Sequence, residues 1–237
     1  ADMVSLVSFA AANDKQKPIF SGILFEVKKN AFTMVATNTH RLAAKEISLD
    51  QETAAEGRFI VPSGILSDVS RILPLDDEES MVEISWSNNH VAFTFGDTYF
   101  IASLVNGEYP DYHRIIPTHF EARAEVNLKD FEEAVRFVSP IARDMSYQTI
   151  NFHFNGDTLE IFEEDPDIGR ADTSIPVKLD GENISLTFNC TYIEDILKHS
   201  KGETIILNLQ KAGPIVIEQE EDKTYNYMLT PMRGRKY

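Results

Sequence analysis

An α+β fold built as two copies of one unit is predicted by three observations. Short runs rich in β-branched and aromatic residues are interrupted, in each half, by stretches with apolar residues at helical spacing. The order of these elements starts again near Phe120. The halves also answer each other segment by segment: Gly22-Ile23-Leu24-Phe25 matches Thr149-Ile150-Asn151-Phe152, Phe59-Ile60-Val61-Pro62 matches Leu186-Thr187-Phe188-Asn189, and Met81-Val82-Glu83-Ile84 matches Thr204-Ile205-Ile206-Leu207. A long internal period of this kind means two similar units packed as neighbours. The 237 residues fit two domains. Residues 108–117 contain two prolines and no period, so they read as the linker, with domains at 1–117 and 118–237. Each copy is expected to run helix, three strands, helix, three strands, after a leading strand that the first copy lacks. Two antiparallel sheets on one side and two helices on the other make a layered α+β arrangement.

In order, residues 1–12 place Met3, Leu6, Val7 and Ala10 at helical spacing, without a cap or an initiator methionine, so the chain is expected to begin inside an element, as a fragment. Strands are predicted at 19–28, 31–37, 42–49 and 58–61, the first two joined by a Lys29-Asn30 turn. Pro62-Ser63-Gly64 opens a helix with Ile65, Leu66, Val69, Ile72 and Leu73 on one side, stopped by Pro74. Strands follow at 81–85, 90–95 and 99–104, with turns at Asn88-Asn89 and Gly96-Asp97. In the second half a strand at 120–126 precedes a helix capped by Asn127, whose stripe is Leu128, Phe131, Val135 and Val138. Strands at 148–154, 158–163, 171–177 and 184–188 lead to a helix opened by Asn189 or Thr191, and strands at 204–209, 214–218 and 225–229 close the chain.

Hydrophobic residues at 43% and charged residues at 25% are globular values. No stretch approaches the length of a membrane span and the start lacks the regions of a signal peptide, so a cytoplasmic protein without a membrane partner is expected. The single Cys190 fits a reducing compartment. The net charge of −16 is shared: residues 1–117 hold 9 Lys+Arg against 16 Asp+Glu, and residues 118–237 hold 13 against 22. Neither half is a basic nucleic-acid module.

No nucleotide, zinc-protease, esterase or dinucleotide motif occurs, and no cofactor is called for. The acidic runs Asp76-Asp77-Glu78-Glu79, Glu163-Glu164-Asp165-Pro166-Asp167 and Glu218-Gln219-Glu220-Glu221-Asp222 lack ligand spacing and fall at turns. An acidic metal-dependent hydrolase using the 163–167 run is the alternative they leave open. Cys190 with His199 suggests a thiol and base, but Cys190 sits on a mostly apolar element, where it reads as a core residue. More informative is Thr37-Asn38-Thr39-His40-Arg41-Leu42, a polar bend between two apolar strands, where binding residues tend to sit. Tyr225-Asn226-Tyr227-Met228-Leu229-Thr230-Pro231-Met232-Arg233 ends the last strand with Met, Pro and Arg close together, which suits a groove for several peptides; Met228 and Met232 read equally well as core filler.

Four motifs in order, Thr37-Asn38-Thr39-His40-Arg41-Leu42-Ala43, Leu104-Val105-Asn106-Gly107-Glu108-Tyr109-Pro110-Asp111-Tyr112, Phe188-Asn189-x-x-Tyr192 and Thr230-Pro231-Met232-Arg233, closely resemble the bacterial DNA polymerase sliding clamps, the β processivity factors. The resemblance covers essentially the whole chain, as the second and third of the family's three similar domains. It implies tandem DNA-clamp domains with sheets outside and two helices each, in a ring of six domains from two chains around duplex DNA. It also implies a non-enzymatic accessory role: a groove between the two domains takes short hydrophobic peptides of the replicative polymerase, clamp loader and repair proteins. Carried over by position, the groove residues are Phe20, Thr37, Thr39, His40, Arg41, Leu42, Pro110, Arg114 and Ile115, with Asn189, Tyr192, Ala212, Pro214, Met228, Leu229, Thr230, Pro231, Met232 and Arg233. Apolar walls would bury the peptide's anchors, while Arg41 and Arg114 would reach its carbonyls or acidic groups.

Three departures stand out. The family usually has Asp-Gly where this chain has Asn38-Thr39, so a side chain occupies a place where backbone was bare and the groove is expected to narrow. Thr230 stands where Met is usual, and the chain continues past Arg233 with the basic Gly234-Arg235-Lys236-Tyr237, placed to fold over the groove or hang free. DNA-facing cations are expected on the helices at Arg71, Lys129, Arg136, Lys198 and Lys201, with Lys15 and Lys17 after the first helix. A closed ring tethers by topology, so an acidic chain can serve DNA with little affinity for it.

Overall fold

The computed structural model describes residues 1–14, 17–73, 81–144 and 147–232. The chain divides into two compact units, Ala1–Asp111 and Tyr112–Tyr237. The sequence boundary after Pro117 lies further on, because Tyr112 is buried and opens a short 3-10 turn, Tyr112–Arg114.

Unit 1 contains α1 (Asp2–Ser8), β1 (Gly22–Lys28), β2 (Ala31–Thr37), β3 (Arg41–Ser48), β4 (Gly57–Pro62), α2 (Ser63–Ile72), β5 (Glu83–Trp86), β6 (His90–Phe95) and β7 (Thr98–Ser103). Four strands, not three, separate the helices: β4 returns to pair with β1, Gly22 opposite Pro62, and leads directly into α2. The sheets run β3-β2-β1-β4 and β5-β6-β7, with every pair antiparallel. The turns at Lys29-Asn30, Asn88-Asn89 and Gly96-Asp97 fall where expected, between the pairs Lys28 and Ala31, Trp86 and Val91, and Phe95 and Thr98. Two starts differ from the sequence reading. Helix α1 stops at Ser8, and β1 begins at Gly22 because Phe20 and Ser21 both donate to the Lys17 carbonyl in a turn. Phe25 holds the two sheets together, with ring centroids 5.1 Å from Phe32, 5.4 Å from Phe59 and 6.4 Å from Phe93 on β6. In α2, Leu66 and Val69 are buried, whereas Ile72 is exposed.

Unit 2 contains β8 (Ala122–Asn127), α3 (Leu128–Asp144), β9 (Thr149–Asn155), β10 (Thr158–Asp165), β11 (Gly169–Gly181), β12 (Ile184–Asn189), α4 (Cys190–His199), β13 (Thr204–Leu209), β14 (Ile215–Gln219) and β15 (Asp222–Leu229). Its strands run β12-β9-β10-β11-β8-β13-β14-β15. Strand β11 is longer than predicted because its first part pairs with β10 and its last five residues pair with β8. At the end of that switch Gly181 has φ +115°, and a Cβ there would lie 2.3 Å from the Glu121 carbonyl oxygen. The predicted α3 stripe, Leu128, Phe131, Val135 and Val138, is buried throughout. Asn127 caps this helix by accepting from the Asp130 amide at 3.1 Å. Pro140 inside the helix removes a donor, and the Ser139 hydroxyl takes its place by donating to the Arg136 carbonyl at 3.3 Å.

The repeat is visible in the pairing. Gly22 stands opposite Pro62 as Thr149 stands opposite Asn189, so both matched sequence segments occupy the same register in their units.

Candidate functional site

The bend between β2 and β3 is built by its own side chains. The Asn38 side-chain oxygen accepts the amides of His40 and Arg41, each at 3.0 Å, an Asx arrangement that closes the turn. The Thr37 hydroxyl donates to the Arg41 carbonyl at 2.6 Å and accepts the Thr39 amide at 3.1 Å. These bonds hold Thr39 at φ +79°, a conformation that costs a β-branched residue about 1–2 kcal/mol. Thr39→Gly is therefore expected to raise stability by roughly 0.5–1 kcal/mol, after the added chain entropy of glycine is subtracted. Urea titration followed by Trp86 fluorescence measures it, and a loss of stability would show that the Thr39 side chain makes a contact worth more than its strain.

Thr39 and His40 are exposed at the tip, whereas Thr37, Arg41 and Leu42 are buried. Arg41 is 7% exposed; its guanidinium donates to the Phe9 carbonyl at the end of α1 and lies 5.4 Å from the Phe9 ring centroid. The sequence reading has Arg41 reaching a bound peptide; the structure uses it to fasten α1 to β3. Behind the tip, Phe20 meets Tyr109 edge-on at 6.2 Å, and the Tyr109 hydroxyl donates to the Val35 carbonyl at 3.4 Å. Burial pushes the Tyr109 hydroxyl pKa well up, despite a backbone hydrogen bond with Thr37 that acts the other way. Pro110, next in the chain, is exposed.

In unit 2, Asn189 caps α4 by accepting the Tyr192 amide at 3.2 Å, and the Tyr192 carbonyl accepts from the Tyr227 hydroxyl at 3.1 Å. The cap, the helix start and β15 are thereby locked together. Arg114, Ile115 and Ala212 are exposed, and Pro214, Thr230, Pro231 and Met232 are half-buried. Met228 and Leu229 are buried, so of the two methionines Met228 is core and Met232 offers surface. The Met232 amide donates to the Thr187 carbonyl at 2.8 Å, fixing the segment on the free edge of β12. Arg233 lies outside the described residues. A cleft of about 730 Å³ in unit 1, lined by Phe59, Trp86, Leu104 and Tyr109 among others, contains none of the predicted peptide residues.

Among the expected DNA-facing cations, Lys17, Arg71, Lys129, Arg136, Lys198 and Lys201 are exposed; Lys15 is outside the described residues. Arg71 lies 3.6 Å from Asp68, and on α3 the exposed Glu132 and Glu133 stand between Lys129 and Arg136. The helical surfaces thus mix both signs.

The acidic runs do structural work where they are described. Glu163 is 1% exposed and accepts from Asn151 at 3.0 Å, Glu164 lies 3.6 Å from Arg170, and Asp165 accepts the amides of Asp167 and Ile168 to close the β10–β11 turn. Among the described residues no group of three or more His, Cys, Asp or Glu is placed to hold a metal ion. The Asp76 to Glu79 run is outside the described residues. Cys190 is buried, and burial pushes its thiol up to about 12, so it is core rather than nucleophile.

Comparison with known proteins resolves the domain type. Residues 1–111 match the DNA polymerase III beta subunit central domain, and residues 113–233 match the C-terminal domain of the same subunit. The chain belongs to the DNA polymerase III beta subunit family. It is 25% identical over 234 residues to a beta sliding clamp of Staphylococcus epidermidis, covering 98% of this chain and 61% of that protein. Among solved structures, the beta subunit of Thermotoga maritima shares 28% identity at a TM-score of 0.92, over 99% of this chain and 63% of that one. The Bacillus subtilis sliding clamp shares 26% identity at a TM-score of 0.93, over 99% and 62%. The fold is therefore that of the sliding clamps, and the chain spans about three fifths of the length of these relatives.

The sequence reading did not single out Asn38 as the organiser of the tip, although turn chemistry signals it once the bend is located.

Proposed function

We propose that this chain acts as the peptide-capturing part of a bacterial sliding clamp, a processivity factor without catalysis of its own. The whole protein, as a ring of two chains in the cytoplasm, encircles duplex DNA. The polymerase, clamp loader and repair proteins are tethered to it through short hydrophobic peptides. The observation that carries this reading is the ordered match of two successive beta-subunit domains over residues 1–111 and 113–233. No helix among the described residues is long and apolar enough to cross a membrane. An acidic ring is compatible with the role, since topological confinement does not depend on neutralised phosphates. The hydrolase alternative has no support: the 163–167 run is occupied by its own turn and by the hydrogen bond from Asn151 to the buried Glu163.

For peptide capture, the half-buried Pro231 and Met232 and the exposed Ile115 supply apolar surface. Exposed Arg114, Thr39 and His40 supply donors and shape. A fluorescent Gln-Leu-x-Leu-Phe peptide is expected to bind saturably, and Met232→Ala and Arg114→Ala are each expected to weaken it about tenfold, as for contacts near the centre of a small interface. An unsaturable parent, or variants that bind as the parent does, would remove the assignment.

A further inference from the structure

Unit 2 lengthens one turn that unit 1 keeps short, and holds the added residues by contacts from outside the turn. Strands β5 and β13 match in sequence, and each leads into a hairpin. The last pair of the first hairpin, Trp86 with Val91, leaves residues 87–90 in the turn, closed by the Ser87 amide donating to the His90 carbonyl at 2.9 Å. The last pair of the second, Asn208 with Val216, leaves residues 209–215. Within them the Gln210 side-chain amide donates to the Pro214 carbonyl at 2.6 Å. Gly213, at φ +124°, makes room for that bond, since a Cβ there would lie 2.7 Å from the Gln210 side-chain nitrogen. Glu121 holds the tip. Its carboxylate accepts the Lys211 amide, its own amide donates to the Leu209 carbonyl at 2.8 Å, and its carbonyl accepts the Glu182 amide at 3.4 Å. The Lys211 ammonium in turn pairs with the Glu182 carboxylate. A hairpin closes without such ties, as the first one shows.

The place of the loop gives the ties a use. Ile215 stands opposite Leu229, so Pro214 lies beside Thr230 at the open end of the β14–β15 hairpin, next to the half-buried Pro231 and Met232. We propose that residues 210–214 are a fixed wall of the peptide-capturing surface of unit 2, with Glu121 and Gln210 as the positioning residues that set its shape. The inference rests on the peptide-capture reading and adds the device that holds this surface in one conformation before a peptide arrives. Lys211, Ala212 and Gly213 are exposed, and an exposed ion pair such as Lys211 with Glu182 contributes little stability. What the ties supply is order. A loop freed of them has to be ordered on binding, which lowers affinity without loosening the strands on either side. Neither positioning residue has to touch the peptide for this to hold.

Titration of a fluorescent Gln-Leu-x-Leu-Phe peptide into the whole chain tests it. Glu121→Ala and Gln210→Ala are each expected to weaken binding about fivefold. Glu121→Gln, which keeps an acceptor for the Lys211 amide, is expected to lose less than about twofold. In a chain lacking residues 211–213, Glu121→Ala should weaken binding no further, because the residue it acts through is gone. Native-state amide exchange at Lys211 and Ala212 should quicken in Glu121→Ala while exchange in β13 and β14 stays as in the parent; unchanged exchange at both loop residues rejects the positioning role. A parent that binds saturably, with a Glu121→Ala variant that binds equally well, overturns this proposal and leaves peptide capture standing. A parent that does not bind saturably overturns both. Effects that multiply when Glu121→Ala is placed on the shortened loop give Glu121 its role elsewhere and reject the wall. If Glu121→Ala does not fold, Gln210→Ala decides alone: parent-like affinity rejects the proposal.

Discussion

Arg41→Ala is expected to lower the stability of unit 1 by about 3 kcal/mol, as the sum of a charge-assisted hydrogen bond and a buried cation–aromatic contact. Arg41 is 7% exposed, and its guanidinium donates to the Phe9 carbonyl and lies against the Phe9 ring, so alanine removes the tie between α1 and the start of β3. It leaves that carbonyl without this donor and opens space beneath the helix. Arg41→Lys is expected to recover less than half of the loss, because an ammonium has neither the reach of the fork nor its flat face. Trp86 is the only tryptophan, and it stacks on Phe59 at 5.0 Å inside unit 1, so its fluorescence reports this unit in a urea titration. A midpoint shift worth under 1 kcal/mol at constant slope would show that Arg41 is not a fastener.

Much of this was legible in the sequence because the informative signals were local and repeated. Strands β2, β6 and β13 begin and end where the alternation of residue types places them, and the hairpin at Lys29-Asn30 follows from turn chemistry alone. Asn127 and Asn189 were readable as helix caps, since a short side-chain acceptor before an apolar stripe has few other uses. What was illegible depended on distant partners. The extension of β11 to Gly181 rests on its second neighbour, β8, which no property of residues 178–181 announces. The tie of Arg41 to Phe9, 32 positions earlier, has no local signal at the polar bend that carries the cation. Met228 and Met232 are alike as residue types, and only strand register separates the buried one from the half-buried one.

Phe152→Ala is expected to cost unit 2 about 4 kcal/mol, the upper part of the range for emptying a buried aromatic site. The ring is fully buried at the centre of an aromatic cluster, with centroids 5.5 Å from Phe131 of α3, 5.3 Å from Phe188 of β12 and 6.3 Å from Phe154 of the same strand. β9 also pairs with β10 and β12, so the cavity would lie between a helix and three strands that cannot all close on it. Phe152→Leu, which leaves most of the volume filled, is expected to cost only about 1.5 kcal/mol. The matched residue of unit 1 is Phe25, whose aromatic neighbours come from strands alone: Phe32, Phe59 and Phe93. Phe25→Ala should therefore shift the Trp86 transition directly through the Phe59 stack. Phe152→Ala should appear as increased amide exchange across β9, β12 and α3, whose packing meets at that ring. If instead Phe152→Ala leaves the amides of α3 protected as in the parent, Phe131 and the helix are held by other contacts, and the cluster is not the centre of the second unit.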